Sequence, residues 1–160
     1  MLTWSGDPQT TQTIQWRTGP TVNKGQVQWV KKSAYNRFQP DQPKRANATT
    51  FKMENANLLN DPVIHRHTAT LTGLDPDTTY LYSVGDGSDD GWSEMSEFTT
   101  APGRTEPFSF VYMGDAQNGL YRWGSLVQGA FRQRPDAAFY IMAGDLVNRG
   151  NERDDWDSFF

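Results

Sequence analysis

Two aspartates are delivered in the same way in this chain. Asp115 ends the apolar run of FSFVYMGDAQNG (108–119), and Asp145 ends that of FYIMAGDLVNRG (139–150). Two carboxylates brought together with no Lys or Arg between them repel. A divalent cation, or a pair, removes that cost and uses their oxygens. One Gly-Asp alone is ordinary turn chemistry, because Asp bonds its own backbone and caps helices. Two of them with matching lead-ins point to a shared cation site, provided the fold brings both to one place. The glycine before each lets the backbone turn sharply and pass closely.

The elements that must position them are legible. FSFVYM and AAFYIMA are continuous apolar runs, which suits strands buried on both faces of a parallel sheet. Between them, Leu120, Trp123, Leu126, Val127, Ala130 and Phe131 fall near helical spacing, and Pro135 stops the helix. A strand, a helix and a strand make a crossover whose two strands run the same way. Both Gly-Asp pairs then lie at the strands' carboxyl ends, the edge where open α/β sheets place ligands. The closing NERDDWDSFF predicts a second helix with Asn151 as its cap.

The first hundred residues read differently. QTIQWRT aligns Ile14 with Trp16, QVQWVKK aligns Val27 with Trp29, and YLYSV aligns Tyr80, Tyr82 and Val84; WSEMSEFTT closes the series. Period-two alternation between Gly, Pro and Asp breaks predicts half-buried antiparallel strands in a β-sandwich. LTGLDPDTTYLYSV (71–84) resembles the tyrosine corner of fibronectin type III and related sandwiches, in which a Tyr hydroxyl bonds backbone near the turn. TTAPGRTEP (99–107) is punctuated by Pro102, Gly103 and Pro107 and reads as a linker. The expected division is a sandwich over 1–102, a linker over 103–107 and an α/β segment over 108–160.

Within the sandwich, His65 and His67 form a His-x-His pair whose side chains share a strand face. No third ligand accompanies them, so ordinary burial is the expectation rather than zinc. Asn47-Ala48-Thr49 is a glycosylation sequon only in a host that glycosylates.

Composition excludes several function classes. Of the 160 residues, 36% are apolar, 21% charged and 13% aromatic, enough large side chains to build a core. Acids and bases are spread evenly at a net charge of −4, so no basic face offers itself to nucleic acid. No cysteine is present, which removes disulfides and thiolate metal sites. No apolar run reaches the ~18 residues of a membrane span, and the N-terminus lacks the basic and apolar regions of a signal peptide.

YMGDAQ followed by MAGDLVNRG resembles the first two sequence blocks of the calcineurin-like metallophosphoesterases. The sandwich in front of them narrows the resemblance to the purple acid phosphatases, whose catalytic domain follows a fibronectin-like domain. The resemblance implies two divalent or trivalent metal ions (Fe, Zn or Mn), with Asp115 a terminal ligand and Asp145 a bridge between them. It implies hydrolysis of phosphate monoesters, in which the ion pair generates hydroxide that attacks phosphorus in line. It also implies export, to the periplasm or the cell exterior.

The departures matter. Asn148 stands where purple acid phosphatases carry an iron-binding Tyr, and Gln117 stands where many relatives carry His. Each offers an amide carbonyl oxygen to a metal or supports the site from behind it. Arg149 stands where relatives place an arginine that grips phosphate, a task its planar fork suits; a solvated surface arginine is the plainer alternative. After residue 107 there is no histidine. Two carboxylates cannot fill the coordination of two ions, so the chain reads as the front part of a longer enzyme with little activity of its own.

A second reading is a carbohydrate- or protein-binding sandwich with an incidental tail, in which Trp4, Trp16, Trp29 and Trp92 supply an aromatic platform. A nucleotide-binding domain is disfavoured, because neither turn carries a Gly-x-Gly-x-x-Gly or Walker pattern.

Overall fold

The computed structural model describes residues 1–36 and 42–160. By internal contacts it divides into two compact units: Met1–Glu54 with Val63–Thr105, and Asn55–Pro62 with Glu106–Phe160. Among the described residues no helix is long and apolar enough to cross a membrane.

The first unit is a sandwich of two four-stranded sheets. Its strands are β1 (Leu2–Thr3), β2 (Gln12–Thr18), β3 (Gln26–Lys31), β4 (Lys44–Asn47), β5 (Thr49–Glu54), β6 (Val63–Leu71), β7 (Thr79–Gly85) and β8 (Ser96–Thr99). One sheet has the order β1-β2-β6-β5 and the other β4-β3-β7-β8, with every pairing antiparallel. Alternation decides which side chains meet between the sheets. Ile14, Val27, Trp29, Ala69, Leu71, Leu74, Tyr80 and Phe98 form the core, with Trp16, Tyr82 and Val84 packed against it. The expected strands over 12–18, 26–31 and 80–84 are present. β4 and β5, joined through Ala48, carry the chain from one sheet to the other and were not anticipated.

The turn before β7 has the expected corner. Tyr80 is buried, and its hydroxyl accepts the Asp75 backbone N–H at 2.9 Å. Thr100 closes the same corner: its hydroxyl donates to the Asp75 carbonyl at 2.6 Å and accepts the Thr78 N–H at 3.0 Å. Tyr80→Phe keeps the ring and deletes one hydrogen bond inside this network. It is expected to lower unfolding free energy by about 1 kcal/mol, seen as a lower urea midpoint at unchanged slope.

His65 and His67 point inward from β6, as the burial expectation held. His67 is fully buried and stacks on Trp16 with ring centroids 5.2 Å apart. Its Nε2 lies 2.8 Å from the Thr18 hydroxyl and its Nδ1 2.9 Å from the Thr50 hydroxyl. His65 Nδ1 lies 2.8 Å from the Val22 carbonyl. Gly25 closes over this cluster. A Cβ there would stand 2.7 Å from both His67 Nδ1 and the Trp16 ring, so the close approach requires glycine.

The second unit holds a parallel pair, β9 (Val111–Met113) and β10 (Tyr140–Met142), joined through helix α1 (Leu120–Gln133), followed by helix α2 (Arg153–Phe159). Trp123 is the buried anchor of α1 and stacks on Phe159 of α2 at 5.7 Å. Two expectations fail here. The paired strands are not covered on both faces: Tyr112 is 69% and Ile141 40% exposed, because the pair has the α1 crossover and no second layer among the described residues. For the same reason Leu126 and Phe131, on helical spacing with the buried residues, remain exposed. Asn151 does not cap α2. Glu152 occupies that position without a side-chain bond, and the Arg153 N–H is satisfied instead by Asn60 Oδ1 at 2.6 Å.

Candidate functional site

The parallel register sets the site. Tyr140 pairs with Val111, Ile141 with Tyr112 and Met142 with Met113, so both strands finish level. The pairing then continues past the strands. Ala143 N–H donates to the Met113 carbonyl at 2.8 Å, Asp115 N–H to the Gly144 carbonyl at 3.2 Å, and Gln117 N–H to the Asp145 carbonyl at 3.0 Å. The two Gly-Asp loops are therefore hydrogen-bonded neighbours at one sheet edge. Gly114 lies close to its counterpart, since a Cβ on it would meet the Ala143 Cβ at 3.2 Å.

Both aspartates adopt left-handed backbone, with φ of 56° at Asp115 and 49° at Asp145. Such conformations are uncommon for side-chain-bearing residues, though least costly for Asp and Asn. They persist where the surroundings over-determine them. Here the inter-loop hydrogen bonds do so. Both side chains are exposed, and among the described residues neither carboxylate has a hydrogen-bond or ion-pair partner. A bare pair of carboxylates on adjoining loops is a hard-oxygen donor set that fits a hard cation.

The other candidates are distributed around this pair. Asn148 is exposed, and its Nδ2 donates to the Gln117 backbone carbonyl at 2.8 Å, joining the second loop to the first. Gln117 is half-buried, held through both its N–H and its carbonyl. Arg149 turns to its own chain: its Nη2 lies 2.7 Å from Glu152 Oε2 and 3.4 Å from Asp155 Oδ1, and its backbone N–H donates to Asp155 Oδ2 at 3.1 Å. Sequence reasoning missed Glu152 and Asp155 as partners of Arg149. The signal was present, as acids three and six residues after an arginine at a helix start.

A trio of carboxylates, Asp61, Asp154 and Asp157, also gathers in this unit within reach of a single ion. All three are exposed, and exposed acidic groups commonly gather without one. Both ring nitrogens of His67 are engaged, by the hydroxyls of Thr18 and Thr50, and His65 Nδ1 faces the Val22 carbonyl. The four-tryptophan platform does not exist as a surface. Trp29 lies in the core and Trp16 packs against it, while Trp92 lies under the Arg45 guanidinium and Trp4 is half exposed.

Comparison with known proteins adds the following. A family model described as the N-terminal domain of purple acid phosphatase matches residues 1–100. No curated protein matches the chain. Among solved structures, a computationally redesigned β-sandwich protein aligns at 18% identity, covering 65% of this chain and 94% of its own, with a TM-score of 0.40. The third fibronectin III domain of the human KIAA0343 protein aligns at 16% identity over 64% of this chain and 78% of its own, with a TM-score of 0.38. The sensor domain of the anti-sigma factor RsgI4 of Pseudobacteroides cellulosolvens aligns at 16% identity over 61% and 87%, with a TM-score of 0.36.

Proposed function

This chain belongs to the purple acid phosphatase family through its N-terminal domain, matched over residues 1–100, and from that premise we propose that residues 108–160 carry the first two acidic loops of a dinuclear phosphoesterase site. The observation that supports this reading is the hydrogen-bonded pairing of the two Gly-Asp loops, which sets two unpartnered carboxylates at one sheet edge. The exposed outer faces of Tyr112 and Ile141 support it further, because a parallel sheet is ordinarily covered on both sides and this pair has the character of part of a larger sheet.

In this reading Asp115 and Asp145 would hold the ions, with Gln117 and Asn148 beside them in the same two loops. When bound, the ion pair would supply charge to offset the phosphoryl oxygens and a hydroxide near neutral pH. The residues' own tasks are simpler. Asp115 and Asp145 hold their oxygens in left-handed turns without competing cations. Arg149 spends Nη2 on Glu152 and Asp155, which steadies its fork, and the remaining N–H donors are left for phosphate oxygens. The substrate class is phosphate monoesters, and the setting is extracytoplasmic.

The test is Mn2+ titration of the purified chain by calorimetry, in a background carrying Asp154→Asn and Asp157→Asn so that the exposed trio does not contribute. Binding is expected, and Asp115→Asn and Asp145→Asn are each expected to weaken it at least tenfold. Titration curves unchanged by both substitutions would remove the site.

A further inference from the structure

We propose that Asn148 is a positioning residue: through its side-chain amide it clamps the loop carrying Asp145 onto the loop carrying Asp115. The inference rests on the metal-site reading for its purpose, but the clamp itself is a feature of the metal-free chain.

Beyond the Ala143–Met113 bond that closes the strand ladder, three rungs tie the two acidic loops. Two are backbone bonds, from Asp115 N–H to the Gly144 carbonyl at 3.2 Å and from Gln117 N–H to the Asp145 carbonyl at 3.0 Å. The third, from Asn148 Nδ2 to the Gln117 carbonyl at 2.8 Å, comes from a side chain and is the shortest of the three. A backbone carbonyl only accepts, so the group facing it must donate. That fixes which end of the Asn148 amide points there and makes the residue type consequential. Gln117 is thereby held on both sides of its own backbone, two residues after Asp115. Asn148 lies three residues after Asp145, so the clamp closes the far end of both acidic turns.

The clamp matters because two left-handed aspartates must keep one separation. Loops free to part would have to be reordered before a cation could use both carboxylates, and the apparent affinity falls by the fraction of time the pair is assembled. Asn148 acting only as a ligand predicts the opposite response to one substitution. Asn148→Asp adds an anionic oxygen, which strengthens a ligand, yet it replaces the donor with an acceptor facing a carbonyl, which breaks the clamp.

The experiment uses the full chain in the Asp154→Asn, Asp157→Asn background, comparing Asn148→Asp and Asn148→Ala with the parent. In metal-free protein, the Gln117 amide is expected to exchange with solvent several-fold faster in both variants, read by NMR. In Mn2+ titrations, both are expected to bind about three- to tenfold more weakly, including the variant with the added negative charge. Unchanged Gln117 exchange overturns the clamp whatever the metal does. Tighter Mn2+ binding by Asn148→Asp overturns the positioning role and favours direct ligation. If Asp115→Asn and Asp145→Asn leave Mn2+ binding unaltered while Gln117 exchange still responds to Asn148, the metal reading fails and the clamp stands. Asn148 is exposed, so loss of the whole fold is not the expected consequence of either change.

Discussion

Leu71→Ala is expected to cost the sandwich about 3–5 kcal/mol. Leu71 is 1% exposed, at the end of β6, inside the cluster built from Ile14, Val27, Trp29, Tyr80 and Phe98. Truncating it removes the transfer energy of three carbons and leaves a cavity that two hydrogen-bonded sheets cannot readily collapse. Its neighbours are pinned. Leu71 pairs with Gln12, whose own side chain donates to the Thr3 carbonyl at 2.9 Å. A domain of this size has roughly 5–15 kcal/mol in hand, so the loss is a large share. Thermal unfolding followed by near-ultraviolet circular dichroism should show the sandwich transition lowered by more than about 10 °C. Lys52→Ala is the contrast. It breaks an exposed pair with Glu54 and should leave the transition nearly in place. A Leu71→Ala protein melting within a few degrees of the parent would mean that the two sheets are not joined by the core described.

The strands that sequence reasoning found are those whose alternation is driven by burial on one side. β2, β3 and β7 each place large apolar side chains on the inner face at alternate positions (Ile14 and Trp16, Val27 and Trp29, Tyr80, Tyr82 and Val84), and that pattern survives without any structure. β4 and β5 were illegible for a physical reason. In KRAN and TTFKME only Ala46, Thr50 and Met53 are even half-buried, and the most apolar residue, Phe51, faces outward under Arg66. Each is the edge strand of its sheet, so neither needs a strong inner face. The parallel pair misled in the other direction. A continuous apolar run records what a strand would bury in a complete sheet, whereas Tyr112 and Ile141 are exposed in this unit.

At the candidate site, the recurrence of Gly-Asp was enough to bring Asp115 and Asp145 to one edge, because a crossover forces parallel strands to end on the same side. What spacing does not encode is conformation and partner choice. Nothing in the string distinguishes an Asp in left-handed backbone from one in a helix cap. That Asn148 faces a carbonyl 31 positions away depends on a register that only the folded pair defines. Arg149, although still largely exposed, meets Glu152 because the chain turns between them just before α2, again a property of the fold.

His67 makes the sandwich sensitive to mild acid. Burial, and secondarily the neighbouring His65, hold its pKa below the ordinary value of 6.5. The groups facing it are the Thr18 hydroxyl and Trp16 ring of β2, the Thr50 hydroxyl of β5, Gly25, and His65 on its own strand; none is a carboxylate that would favour the charged ring. A neutral imidazole satisfies the network: with Nε2 donating to the Thr18 hydroxyl, that hydroxyl donates in turn to the Gly19 carbonyl at 3.2 Å, and Thr50 donates to Nδ1. A second ring proton would face the Thr50 hydroxyl and require it to turn away. The sign follows. The unfolded chain takes up the proton near pH 6.5 and the folded chain only at lower pH, so the contribution of His67 is complete above 6.5 and is lost as pH falls below it. The slope has a ceiling of about 1.4 kcal/mol per pH unit for one proton. The carboxylates held low by their partners, Asp75 by Lys31 and Asp86 by Ser88, lose their contributions only in more acidic solution, whereas the Met1 amino group, held below 8.0 by burial, weakens the fold over the same fall in pH, so the difference between parent and variant isolates the histidine. Urea midpoints measured from pH 7.5 to 5 should therefore fall in the parent. They should fall less in His67→Gln, which keeps a hydrogen-bonding side chain but cannot titrate there, although that variant starts about 2–4 kcal/mol lower because the ring's packing on Trp16 is gone. Should the variant not fold, the parent still decides the point, since an imidazole proton of His67 titrating by NMR at or above pH 6.5 would refute the buried neutral ring.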